Sequence, residues 1–347
     1  MFSTASKYGW KEILCCIVLA ASCFLLGYRI SRIISPVDPK NCDILSNNRD
    51  CTLEFIGYES SAFEFLWLNH ILEWQGDPCA QFPAQRRQAD AWVTYTARAQ
   101  YRRPVKPAPK GIFSAFRYRD ICDEHEVRVP IEPLAMVTRH PYTCLPDPVS
   151  TASYHERYAA DKEYLLTAWN APETAAGKAY YFDLGASTYD TGPGGASQKW
   201  IVDQYKLRGV DFHRIFAWEA KPYDPETIFQ SIPAELHHTY HWYNFPASAN
   251  PDSHRNPWNT LQRVVSAEDF VVVKMDIDTP EIENRLVRQL LADPQLQVLI
   301  DDFYFEHHVN ATPMSAFWGP IKDLYLKDTY EIFLALRQAG IRAHSWV

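Results

Sequence analysis

The chain has 347 residues, 47% hydrophobic and 22% charged, a globular composition that excludes disorder over most of its length. A formal charge of −8, with no basic stripe along the sequence, excludes a nucleic-acid-binding protein, because nothing would neutralise a phosphate backbone. The length allows one catalytic-sized domain plus an extension, and the 11 Trp and 20 Tyr read first as large core and surface side chains.

The first element in chain order is the uncharged run Ile13 to Tyr28, bounded by Lys11 and Glu12 on one side and Arg29 and Arg32 on the other. It is near the lower limit for a spanning helix, about 17 residues, and Trp10 and Tyr28 suit the two interfaces. An uncleaved single-pass anchor in an endoplasmic-reticulum or Golgi membrane is the expectation, because the apolar run continues through Phe24, Leu25 and Leu26 past the small residues Ala20, Ala21 and Ser22. A cleaved signal peptide is the competing reading, and basic residues on both flanks leave orientation open. Five cysteines follow the run (Cys42, Cys51, Cys79, Cys122 and Cys144) with no CxxC, a pattern that disfavours a zinc ribbon and allows disulfides with one thiol left over.

Residues 1–34 therefore read as a membrane anchor, 35–150 as a linker and partly helical extension, and 151–347 as an α/β domain. Within the extension, Phe63, Leu66, Trp67, His70, Ile71 and Trp74 recur at helical spacing, and the Ala-, Gln- and Arg-rich stretch from Ala84 to Arg103 stops before Pro104. Arg139 and His140 could touch a ligand, but a surface pair is the better reading. From Lys178 onward strands and helices alternate. Strands are expected at Ala179 to Asp183, Phe212 to Trp218, Thr239 to Tyr243, Phe270 to Lys274, Val298 to Phe305 and Ile341 to Trp346. Helices are expected at about Ser197 to Leu207, Glu281 to Leu291 and Thr329 to Ala339, the last capped by Gly340. Such alternation specifies a doubly wound, mostly parallel sheet whose ligands lie beyond its carboxyl edge.

Four constellations fall at that edge. Asp183-Leu184-Gly185-Ala186-Ser187 leads into a glycine-rich loop, where glycine lets a ligand approach the backbone and Asp or Ser can bond its polar groups. Glu219 closes the next strand, where an acid can accept ribose hydroxyls. Three consecutive valines lead to Lys274, Asp276 and Asp278, and Thr279-Pro280 opens a helix that Thr279 or Asp278 could cap. Glu306, His307 and His308 end the fifth strand, where a histidine could take an acceptor hydroxyl's proton while the acid fixes its tautomer. Only one of two adjacent histidines is expected to face the site. Asp276 and Asp278 with a histidine could instead hold a divalent metal such as manganese or magnesium.

The segments YYFDLGAS, IFAWEAKP and KMDIDTPEIE resemble the FkbM-type S-adenosylmethionine-dependent methyltransferases over about residues 178–347. The resemblance implies a Rossmann-like methyltransferase sheet and transfer of a methyl group to a hydroxyl of a sugar or other small acceptor. It implies that Asp183, Gly185 and Ser187 hold the methionine part of the cofactor and that Glu219 holds the ribose. The family's lysine, two acids and final Glu match Lys274, Asp276, Asp278 and Glu281, with Asp276 facing the reacting end of the methyl donor. The chain departs from the family in a longer loop after Ser187, in Thr279 where the family has glycine, and in lacking a seventh strand after Trp346. Two other functions use the same residues: a Golgi-type glycosyltransferase whose Asp276-Ile277-Asp278 binds a metal and a nucleotide sugar, and a non-catalytic binding protein on this sheet.

Overall fold

The computed structural model describes residues 53–101, 107–120, 124–146, 156–167, 177–192, 195–319 and 321–347. The apolar run at 13–28 and Cys42, Cys51 and Cys122 lie outside them. Among the described residues no helix is long and apolar enough to cross a membrane. Phe55–Arg119 and His125–Val347 form one compact unit, to which the description below belongs.

In the first part of the chain, strand β1 (Leu53–Glu59), helices α1 (Ala62–Trp74) and α2 (Phe82–Tyr101), and strands β2 (Ser114–Asp120) and β3 (Glu126–Ile131) follow one another. The two helices fall where their spacing predicts them. The extension is nevertheless not only helical, because β1, β2 and β3 make a three-stranded sheet in that order. β2 and β3 pair antiparallel with Phe116 opposite Val129, and Phe116, Val129 and Ile131 bury a small cluster of their own. A disulfide joins Cys79, in the turn after α1, to Cys144 at the end of a 3-10 turn, Pro141–Cys144.

The second part alternates: β4 (Ala179–Leu184), α3 (Ser197–Lys206), β5 (Arg214–Trp218), α4 (Pro225–Ser231), β6 (Tyr240–Tyr243), α5 (Pro257–Val264), β7 (Phe270–Met275), α6 (Pro280–Ala292), α7 (Pro294–Gln297), β8 (Asp302–Phe305), α8 (Ser315–Trp318), α9 (Leu326–Gln338) and β9 (Arg342–Ser345). The stretch expected as a strand from Val298 begins only at Asp302, since Asp293 caps the short helix α7 through the N–H groups of Gln295 and Leu296. The six strands lie in the order β6-β5-β4-β7-β8-β9, and every neighbouring pair is parallel. The fold is thus mixed α/β with a parallel six-stranded sheet, compatible with a Rossmann-like arrangement. Every residue of β4, β7, β8 and β9 is buried, as parallel strands covered on both faces require.

The chain direction across the sheet reverses between β4 and β7, the place where ligands enter sheets of this type. Register then levels the strand ends: Leu184 lies opposite Trp218 and Met275, and Met275 opposite Phe305. The residues that follow these ends are Gly185, Glu219, Asp276 and Glu306.

Buried charges tie the extension to this sheet. The Arg337 guanidinium on α9 donates to the Tyr58 hydroxyl at 2.9 Å, the Glu64 carboxylate at 3.2 Å and the Glu132 carbonyl at 2.9 Å. His344 Nδ1 lies 2.7 Å from the Glu132 carboxylate, and Arg342 donates to Asp302 at 3.1 Å. Arg139 and His140 also belong to this interior: they are 0% and 1% exposed, which corrects their reading as a surface pair.

Candidate functional site at the carboxyl edge of the sheet

Gly185 begins the site because no other residue fits there. Its φ is +84°, and an added Cβ would lie 1.6 Å from the carbonyl oxygen of Asp276. The Gly185 and Ala186 N–H groups both donate to the Trp218 carbonyl, at 3.0 and 2.9 Å. The next N–H, from Ser187 at φ 52°, donates to one Glu219 oxygen at 2.8 Å, while Lys221 N–H donates to the other at 2.7 Å. Glu219 therefore fastens the glycine loop to the end of β5. A carboxylate has about four acceptor positions, so each oxygen keeps one for a ligand.

Lys274 is 1% exposed and lies at the centre of the next layer. Its ammonium donates to the Gly185 carbonyl at 2.7 Å and lies 3.3 Å from Asp183 and 3.2 Å from Asp276. Burial works against its charge, but the two carboxylates outweigh it and hold its pKa above the ordinary lysine value. Asp183 is fully buried, and neither of its oxygens is hydrogen-bonded, so the Lys274 charge is what supports it. Burial raises its pKa while Lys274 opposes the rise. The structure thus sets Asp183 beneath the glycine loop. Asp276, with its side chain 20% exposed, is the acid that reaches the surface here. Burial pushes it up to about 8, against Lys274 and helped by the neighbouring charge of Glu306.

Glu306 is held from both sides. Arg139 Nη2 at 3.1 Å and Trp318 Nε1 at 3.0 Å donate to one oxygen, and His308 Nε2 lies 3.0 Å from the other. Arg139 is itself fixed by a 2.7 Å bond to the Ser345 hydroxyl and by stacking 4.9 Å over the Trp318 ring. Burial would raise the Glu306 pKa, yet the His308 bond and the Arg139 charge bring it down to about 2. The same contact raises His308 above its ordinary value despite its burial. Asp278 Oδ1 lies 3.8 Å from His308 Nε2, and its side chain is 78% exposed at φ 58°. Donor atoms of Asp278, Glu306 and His308 all fall within 4.8 Å of one another. His307 turns the other way: its Nδ1 lies 3.0 Å from the Thr329 hydroxyl, its ring stacks on Phe305, and burial lowers its pKa to about 4.

The edge thus brings together Gly185, Ser187, Glu219, Lys274, Asp276, Asp278, Glu306 and His308, with Asp183 below and His307 apart. Glu281, the residue the resemblance implies, is exposed. Glu283 is the buried acid, and it accepts the Ile277 N–H at 2.7 Å, holding the loop before α6. Thr279 stands at the cap position without making a side-chain cap bond. Sequence reasoning sets Arg139 on the surface and passes over Trp318 and Lys162. The buried Lys162 ammonium lies 5.2 Å over the Trp346 ring. Burial and the Lys274 charge bring its pKa down to about 8, while Asp276 and Glu306 act the other way.

Two cavities, of about 320 and 310 Å³, lie elsewhere. One runs beside α3 and α4, the other beside Lys162, Trp200 and Gln204, and neither is lined by Glu219, Asp276 or Glu306. No protein-family model, no curated protein and no solved structure matches the chain.

Proposed function

We propose that this chain is an S-adenosylmethionine-dependent methyltransferase of doubly wound Rossmann-like architecture, acting on a hydroxyl of a sugar or other small acceptor. The observation that carries the reading is the convergence of the Gly185 loop, Glu219 and Asp276 where the chain direction reverses. Numbered from its own first strand, the sheet runs 3-2-1-4-5-6, the order in which a glycine turn after the first strand and an acid after the second hold a nucleoside. Here Gly185 allows the close approach, and Glu219, already fixed by Ser187 and Lys221, offers its remaining lone pairs to the ribose hydroxyls.

The bound cofactor supplies an electrophilic methyl group. The chain's own residues orient and move the proton. Lys274 and Asp183 lock the glycine loop to the end of β7, so the distance between cofactor loop and Asp276 is set by a buried ion pair. A hydroxyl that gains a methyl group loses a proton, and Asp276 at the end of β7 would accept it, with Glu306 and His308 beside it at the end of β8. The run at 13–28 adds a membrane anchor to the proposal. The glycosyltransferase alternative asks Asp276 and Asp278 to share one ion, whereas Asp276 pairs with Lys274 and Asp278 stands beside His308.

Thermal stabilisation of the full chain tests this. S-adenosylmethionine at 100 times its Kd stabilises by about 2.7 kcal/mol, and Glu219→Ala should abolish the shift. A shift only with a nucleotide sugar and manganese, or an unchanged shift in Glu219→Ala, overturns the reading.

A further inference from the structure

We infer that Asp278, Glu306 and His308 form a seat for a divalent cation of the manganese type, separate from the Lys274–Asp276 pair and able to present a metal-bound oxygen position beside Asp276. Three kinds of observation support it. The first is distance. Two donors on adjacent corners of an octahedron with metal bonds of about 2.1 Å stand about 3.0 Å apart. His308 Nε2 and Glu306 Oε2 are 3.0 Å apart, and Asp278 Oδ1, 3.8 Å from His308 on an exposed side chain and within 4.8 Å of both donors, needs only a small movement to close the third corner.

The second is pre-positioning. Metal-bound carboxylates are themselves hydrogen-bonded, and Glu306 has its other oxygen held by Arg139 and Trp318, leaving Oε2 turned to His308. The third is charge. Arg139 is committed to Glu306, and Lys274 to Asp183 and Asp276, so Asp278 has only His308 as an ionic partner among the described residues. Two carboxylates and one imidazole suit manganese better than calcium, which takes oxygen donors, or a thiolate-seeking ion. On binding, the Nε2 proton that His308 shares with Glu306 leaves to solvent and the nitrogen lone pair takes the metal.

Three protein donors leave positions open on a six-coordinate ion, enough for two oxygens of one acceptor, which favours a vicinal diol as the substrate class. That use of the open positions rests on the transfer reading above. The cation site itself does not, so it is measured without any methyl donor.

The experiment titrates the EDTA-treated full chain with manganese chloride and follows free Mn²⁺ by its electron paramagnetic resonance signal. One ion per chain is expected. Asp278→Asn should weaken binding at least tenfold. Asn tolerates the positive φ of this exposed position, so the variant should melt like the parent. His308→Gln should weaken binding as much, and Asp252→Asn, an exposed acid outside the cluster, should leave it unchanged. Absence of saturable binding, or binding equally strong in Asp278→Asn and His308→Gln, overturns the inference and marks adventitious binding to surface acids.

Discussion

Gly185→Ala should be among the most damaging small substitutions in the sheet, and Gly209→Ala measures how much of that is backbone strain alone. Both glycines have φ near +80°, at +84° and +82°, so alanine pays a left-handed penalty of about 1–2 kcal/mol at either. Around Gly209 an added Cβ meets nothing within 4 Å. At Gly185 it would lie 1.6 Å from the Asp276 carbonyl oxygen and 2.5 Å from its carbon, both backbone atoms that cannot rotate away. Separating them strains the Asp276 N–H to Leu184 carbonyl bond, worth about 1 kcal/mol, and the Lys274 bond to the Gly185 carbonyl, worth about 1.5–3 kcal/mol as a charged donor. The expected loss is then about 3.5–6 kcal/mol at Gly185 against about 1–2 at Gly209, a large share of a typical folding free energy of about 5–15 kcal/mol. Urea denaturation of the three proteins, read at the transition midpoints and slopes, gives both losses. If the two variants fall within about 1 kcal/mol of each other, the close approach of the two strand ends does not constrain residue 185.

Lys274→Met removes the charge that supports a fully buried Asp183 and should cost about 3–5 kcal/mol, with part of the loss recovered when Asp183→Asn is added; urea melts of the single and double variants test this by a double-mutant cycle. Glu132 gives a pH signature. Burial would raise its pKa, but His344 and Arg337 bring it down to about 2, against 4.5 as the ordinary value. Its folded pKa is the lower one, so on acidification the unfolded chain binds the proton first. The contribution is complete above about pH 4.5, falls as pH drops toward 2, and amounts to about 3 kcal/mol. Denaturation midpoints between pH 6 and pH 2.5 should fall more steeply in the parent than in Glu132→Gln, and parallel curves would remove Glu132 from the account.

The sheet was legible in the sequence because a parallel strand buried on both faces is a short uninterrupted apolar run, and here each run stops in a residue that cannot be buried unpaired. Val271 to Val273 before Lys274, and Phe216 to Trp218 before Glu219, mark both the strand and its carboxyl end. The small sheet of the extension carries a weaker signal. Phe116-Arg117-Tyr118-Arg119 and Val127-Arg128-Val129 alternate as half-exposed strands do, beside helices whose longer periodicity dominates the same region. What local pattern could not supply is long-range pairing. Arg139 reaches Glu306 across 167 residues, so nothing near either one announces that a loop arginine is 0% exposed. The different settings of Glu281 and Glu283 have another cause: a two-residue step rotates a helical side chain by about 200°, so motif matching without a helix phase does not tell the exposed acid from the buried one.

The division of labour between Asp276 and Glu306 follows from the same geometry. Register sets Met275 opposite Phe305, so the two acids emerge side by side at the ends of adjacent parallel strands. Neighbouring carboxylates in a partly desolvated corner do not both ionise freely, and the one with the better donors keeps the charge. Glu306 has Arg139, Trp318 and His308, while Asp276 has Lys274, whose ammonium is also drawn to Asp183 and the Gly185 carbonyl. Glu306 is accordingly the fixed anion, while burial raises the pKa of Asp276 to about 8, as it raises that of Glu283 to about 7. The glycine loop that meets Asp276 through Gly185 is thus joined by backbone contact to an acid of this edge that no three-donor clamp holds.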